Sequence, residues 1–116
     1  MAEYKFKERD EDNLNLILDY CDRIIERTTA VKDLKEFSEN AVLRDAILMN
    51  IIQIGEAVNR LSDECAERIS YLPLRSIVGT RNRVVHGYED INDEIIWNVI
   101  IKDVPALKIQ LEEKLV

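Results

Sequence analysis

The stretch AVLRDAILMNIIQIGEAVNRL, residues 41–61, carries more apolar surface than a half-exposed helix needs. Leu43, Ile47, Ile51, Ile54, Val58 and Leu61 recur at three- and four-residue steps, the period of one helical face. Leu48 and Gly55 widen that stripe well beyond the ~100° a surface helix requires. Met49 and Ile52 stand on the opposite side, among Gln53, Glu56 and Asn59. A helix apolar on more than one side has neighbours on more than one side. The interior of a helical bundle accounts for most of them, and a subunit interface for the rest.

The helical period extends outward from this segment. Upstream, Leu14, Ile17, Leu18, Cys21, Ile24 and Ile25 mark an amphipathic helix, with Asp10 and Asp12 at its dipole-favoured start. The run DEDN, residues 10–13, reads as a charged helix entrance in preference to a magnesium site. TTAVKDLKEFSEN, residues 28–40, reads as a connection with a short helix around Leu34 and Phe37, and Asn40 caps the helix that follows. Downstream, the polar segment SDECAERISY, residues 62–71, leads to Pro73, which is suited to the first turn of a helix running through Arg81 to His86 or Gly87. A last helix starts after Asn92, with Asp93 and Glu94 in its first turn and Ile95, Ile96, Val99 and Ile100 beside Trp97. Pro105 must break or kink it before Leu107, Leu111 and Leu115. Three glycines and no strand–turn–strand signal complete the pattern. The expectation is one all-α domain over residues 1–116, an antiparallel helical bundle of four to five main helices.

A chain of 116 residues can bury a core without staples. Its 47% hydrophobic and 34% charged residues are those of a soluble globular protein. The opening MAEYKFKERDED has no apolar run to act as a signal peptide, and no stretch of about 18 apolar residues spans a membrane. Cys21 and Cys65 lack metal or redox spacing and read as reduced, packed thiols of a cytoplasmic protein. A net charge of −7 argues against gripping nucleic acid with the whole surface. Yet from Ile69 through Tyr88 there is no Asp or Glu, while Arg75, Arg81 and Arg83 all lie inside. An anion repelled elsewhere is tolerated there.

That island contains GTRNRVVHGYED, residues 79–90, with the chain's one histidine. One histidine and two isolated cysteines do not build a usual zinc site. A phosphate-binding glycine loop and a nucleophile elbow are both absent. Arg81, Asn82, His86 and Tyr88 remain. Asn82 and His86 are i, i+4 neighbours, so the amide can orient the imidazole. Arg81 stands about 140° from His86 around a helix, so one straight helix cannot aim both at one atom. Catalysis then needs a bend at Gly87, or a second copy of the helix across a homodimer twofold. The same letters also fit a plain helix C-terminus: a cationic histidine meeting the dipole, a glycine in the left-handed turn, and arginines paired with surface acids. Glu56 reads as a solvated or paired helix acid.

Arg81, Asn82 and His86 resemble the Arg-polar-x3-His signature of the HEPN superfamily. With Tyr88 they form Arg-x4-His-x-Tyr, the pattern of its HepT-like branch. IGEAVNRLS, GTRNRVVHGY and DEIIWNVIIKDVPAL are similar to that branch in the same order, so the likeness covers nearly the whole chain. One departure is Leu74 after Pro73, where such proteins often carry tryptophan; it bears on local packing. The resemblance implies a helical homodimer with the motif helices in a cleft. It implies a toxin paired with a minimal nucleotidyltransferase (MNT-type) antitoxin, and a metal-independent ribonuclease without cofactor. It further implies that Tyr88 is the position the partner adenylylates.

These residue types suit that chemistry. RNA carries a 2′-hydroxyl beside each phosphate, and histidine is the ordinary base or acid near neutral pH. Arg81 offers a planar fork of donors to a phosphate gaining charge. Asn82 holds the imidazole or donates to the same phosphate. Arg83 and Arg75 are candidate RNA contacts. Two other readings fit the same sequence: a non-catalytic HEPN subunit that helps a nucleotidyltransferase bind its substrate, and a helical dimerisation module.

Overall fold

The computed structural model describes residues 5–87 and 91–115. Among them the regular elements are all helical: α1 Glu8–Thr28, α2 Leu34–Ser38, α3 Ala41–Asn59, α4 Asp63–Arg68, α5 Arg75–His86, α6 Asp93–Asn98 and α7 Val104–Leu115. The all-α bundle expected from the periodicity is the fold observed. Among the described residues no helix is long and apolar enough to cross a membrane.

The helix boundaries follow local chemistry. Asn40 accepts from the Leu43 amide at 3.0 Å and Asn92 from the Glu94 amide at 2.7 Å, so both expected caps are in use. Asp33 caps α2 through the Glu36 amide at 2.9 Å. The segment read as merely polar, residues 62–71, contains α4. Ser62 starts it by accepting from the Cys65 amide at 3.2 Å. A helix of fewer than two turns with a single buried cysteine is too short to show a period, so the sequence pattern does not reveal it. Pro73 stands two residues before α5, with Leu74 at the N-cap position, so the proline leads into the helix without forming its first turn.

α3 is the spine and lies antiparallel to both long neighbours. The end of α3 meets the start of α1, where Arg60 Nε donates to Asn13 Oδ1 at 3.1 Å. Its start meets the segment beyond α5, where Arg44 pairs with Asp93 and donates to the Ile91 carbonyl. α7 packs on the other side of α1, and α2 packs against α6. Ile47, Leu48, Ile51 and Ile54 of α3 fill the centre with Leu14, Ile17, Cys21 and Ile24 of α1, all essentially without solvent exposure. Phe37 is fully buried, its ring 5.7 Å from that of Trp97. Burying a side chain of that size stabilises by about 1.5–3 kcal/mol. Leu74 packs against the same core from its edge. Both cysteines are free and buried, and desolvation raises the Cys21 thiol to about 12 and Cys65 to about 11.

Pro105 neither stops the chain's last helical run nor leaves it regular. The Ile101 carbonyl has no Pro105 N–H to accept. Residues Val99–Asp103 widen into a π-helical segment instead, and the Val104 amide donates to the Val99 carbonyl five residues back. α6, this segment and α7 follow one another without a gap.

Candidate active site

α5 carries the site, and α3 holds it from behind. Ile77, Thr80 and Val84 are the buried face of α5. Arg81 points along α3: its side chain is 19% exposed, and its stem lies over Gly55 so closely that a β-carbon there would stand 2.6 Å from Arg81 Cγ. Past that glycine the guanidinium reaches Glu56. Nε donates to Glu56 Oε1 at 3.1 Å, and Nη2 donates to the same oxygen. Nη1 donates to Asn82 Oδ1 at 2.9 Å. Asn82 therefore holds the arginine with its carbonyl oxygen, a contact that the sequence did not announce. Adjacent positions on a helix suffice here because the long arginine side chain curls back to its neighbour.

His86 is the last residue of α5 and is exposed. α5 stays α-helical through it, and Gly87 closes the helix by donating to the Arg83 carbonyl at 2.8 Å. Gly87 has φ −170° and ψ 71°, an extended backbone and not the left-handed turn. The helix thus does not bend to bring His86 toward Arg81 of its own chain, and the two keep their angular separation. Tyr88 lies outside the described residues.

Arg75 and Arg83 are both exposed. With Gly79 and His86 they share one face of α5 at 100° per residue. That face borders a groove of about 370 Å³ between α5 and the α6–π segment, lined by Arg75, Ser76, Gly79, Arg83, Asn98 and Asp103. A β-carbon at Gly79 would meet nothing within 4 Å, so the groove is open there. Burial raises the Asp103 carboxyl above its ordinary value, opposed by Lys102 and a Ser76 hydrogen bond. Among the described residues, no three His, Cys, Asp or Glu side chains gather as a metal ligand set.

A family described as ribonuclease HepT-like matches residues 17–113. The chain belongs to the HepT-like ribonuclease family. A protein named "Putative RNase" from Caldanaerobacter subterraneus subsp. tengcongensis is 36% identical over 86% of this chain and 88% of its own length. Another of that name, from Methanocaldococcus jannaschii, is 31% identical over 83% of this chain and 87% of its own. "Probable ribonuclease HepT" of Thermococcus cleftensis is 23% identical over 82% and 92%. No solved structure matches the chain.

Sequence reading singled out Arg81, Asn82 and His86 but left Glu56 without a task. One signal was available. A glycine inside a long helix costs about 1 kcal/mol against alanine, so Gly55 marks a close approach. Which side chain approaches is decided only when α5 is laid against α3.

Proposed function

We propose that this HepT-like chain is a metal-independent endoribonuclease and the toxin of a toxin–antitoxin pair, with Arg81 and His86 as catalytic residues and Asn82 supporting. The observation that carries the reading is the Arg81 guanidinium held in place by Glu56 and Asn82, on the same helix that ends in an exposed histidine. His86 takes the proton of an RNA 2′-hydroxyl, and the 2′-oxygen attacks the adjacent phosphorus. Arg81 donates to the non-bridging oxygens as their charge rises. The bond to the 5′-oxygen breaks, solvent protonates that oxygen, and a 2′,3′-cyclic phosphate remains. Arg75 and Arg83 line the groove and share a helical face with His86, which suits them to flanking phosphates.

The straight α5 favours a cleft shared by two copies, with Arg81 of one chain facing His86 of the other. Two exposed apolar side chains support this: Met49, 55% exposed, two turns before Glu56 on α3, and Val85, 52% exposed, one turn after Arg81 on α5. In this reading a nucleotidyltransferase antitoxin silences the toxin by adenylylating Tyr88, within a cytoplasmic complex.

The test is cleavage of RNA in the presence of a chelator. Wild-type protein is expected to cut; His86→Ala is expected to lose activity entirely and Arg81→Ala to lose most of it, both with unchanged far-UV circular dichroism. Full cleavage by folded His86→Ala sinks the assignment.

A further inference from the structure

The Arg81 guanidinium is gripped before any substrate arrives. Two of its nitrogens donate to one oxygen of Glu56, which fixes the plane of the group about Cζ, and a third is held by Asn82. The absent β-carbon of Gly55 lets the stem lie flat on α3, so both ends of the side chain are constrained by consecutive residues. We infer that Glu56 is a positioning residue for RNA cleavage, acting through Arg81 to set both the direction and the net charge of the phosphate clamp. The inference rests on the ribonuclease reading above.

The charge argument is specific. A carboxylate hydrogen-bonded to the guanidinium cancels most of its field at a distance, so a singly charged phosphodiester in the ground state gains little from approaching. Donors fixed in direction gain most where charge grows during attack, at the non-bridging oxygens in the transition state. Glu56 therefore weakens ground-state attraction while improving the geometry of the reacting state. The fold depends little on the pair. Glu56 is 45% exposed, and ion pairs so open to water contribute little to stability.

The test is the near-isosteric Glu56→Gln, assayed on a short RNA and on the same RNA made uncleavable by 2′-O-methylation. Turnover is expected to fall about tenfold or more. Binding of the uncleavable RNA is expected to stay equal or tighten, because an acid next to the clamp is gone. Thermal stability should be unchanged, and Glu56→Ala should lose more turnover than Glu56→Gln. In an Arg81→Ala background Glu56→Gln should add no further loss, since it acts through the arginine. Wild-type turnover in Glu56→Gln, or a double variant that falls by the product of the two single losses, overturns the inference while leaving the ribonuclease reading intact. A wild-type chain that cleaves no RNA removes that reading and this inference with it.

Discussion

A β-carbon added at Gly55 would stand 2.6 Å from Arg81 Cγ and 3.0 Å from its Cβ and Cδ. No ordinary contact is that short, so the arginine stem or the helix beneath it must move. Gly55→Ala gains up to about 1 kcal/mol of helix propensity, against an overpacking cost of typically 1–3 kcal/mol. The melting temperature should therefore change by only a few degrees, while cleavage falls about as far as in Arg81→Ala. Activity surviving intact in Gly55→Ala would show that the stem has another path to the substrate. Tyr88 calls for a different measurement. The attack of a 2′-oxygen on its own phosphate needs no phenol, so Tyr88→Phe should retain much of the cleavage. In the proposed regulation the Tyr88 hydroxyl is an attachment point, and an adenylate two residues after His86 in the chain adds negative charge and bulk that oppose RNA. Intact-mass spectrometry after incubation with the proposed nucleotidyltransferase partner and ATP should find adenylate on wild type and none on Tyr88→Phe. Adenylate on the phenylalanine variant would move the modification to another residue.

Among the elements, the joint between α1 and α4 shows how a charged helix entrance becomes structural. Asp10 is buried in the first turn of α1. Its carboxylate accepts from the Ser62 amide at 2.9 Å and from the Ser62 hydroxyl at 2.6 Å, while that hydroxyl accepts from the Cys65 amide at the start of α4. The Ser62 side-chain bond is the larger reason, and the backbone bond the second, that the Asp10 carboxyl sits below its ordinary 3.8. A lowered acid stabilises the fold above its unfolded pKa, and that contribution fades as pH falls through the folded value. Asp10→Asn should cost about 1.5–3 kcal/mol near pH 7, the range for hydrogen bonds to a charged group. Urea titrations should show the gap between wild type and variant shrinking below pH 3.8. A gap independent of pH would mean that the packing of Asp10, not its charge, links the helices. Sequence reading placed Asp10 at a helix start correctly. Its partner lies 52 residues away, and nothing in DEDN points there.

At the scale of the whole molecule the question is how many chains complete one site. Arg81 turns toward α3 and His86 toward the groove face, because five residues of straight helix separate them by about 140°. If the cleft joins Arg81 of one copy to His86 of another, two inactive chains can repair each other. Arg81→Ala and His86→Ala, mixed and refolded together, form mixed dimers in about half of all pairs, each with one intact site of two. The mixture should regain about a quarter of wild-type cleavage. No recovery in a mixture that demonstrably exchanges chains would place both residues of a site on one chain. The exposed Met49 and Val85 give a second handle: charged residues at both positions should dissociate the proposed dimer in sedimentation experiments and abolish cleavage together.

Period and caps were legible in the sequence because they are local. Apolar spacing identified the long helices, Asn40 and Asn92 announced two starts, and the acid-free run around Arg75, Arg81 and Arg83 was visible as a local cluster of positive charge. The pairing of Arg81 with Glu56, the hold of Asn82 on the guanidinium, and the groove along Arg75 and Arg83 were not legible. Those depend on the depth at which α5 settles against α3, which is set by a missing β-carbon at Gly55 and by the buried faces of both helices. A linear pattern shows which side of a helix is covered. Only the packed bundle decides which side chain stands opposite.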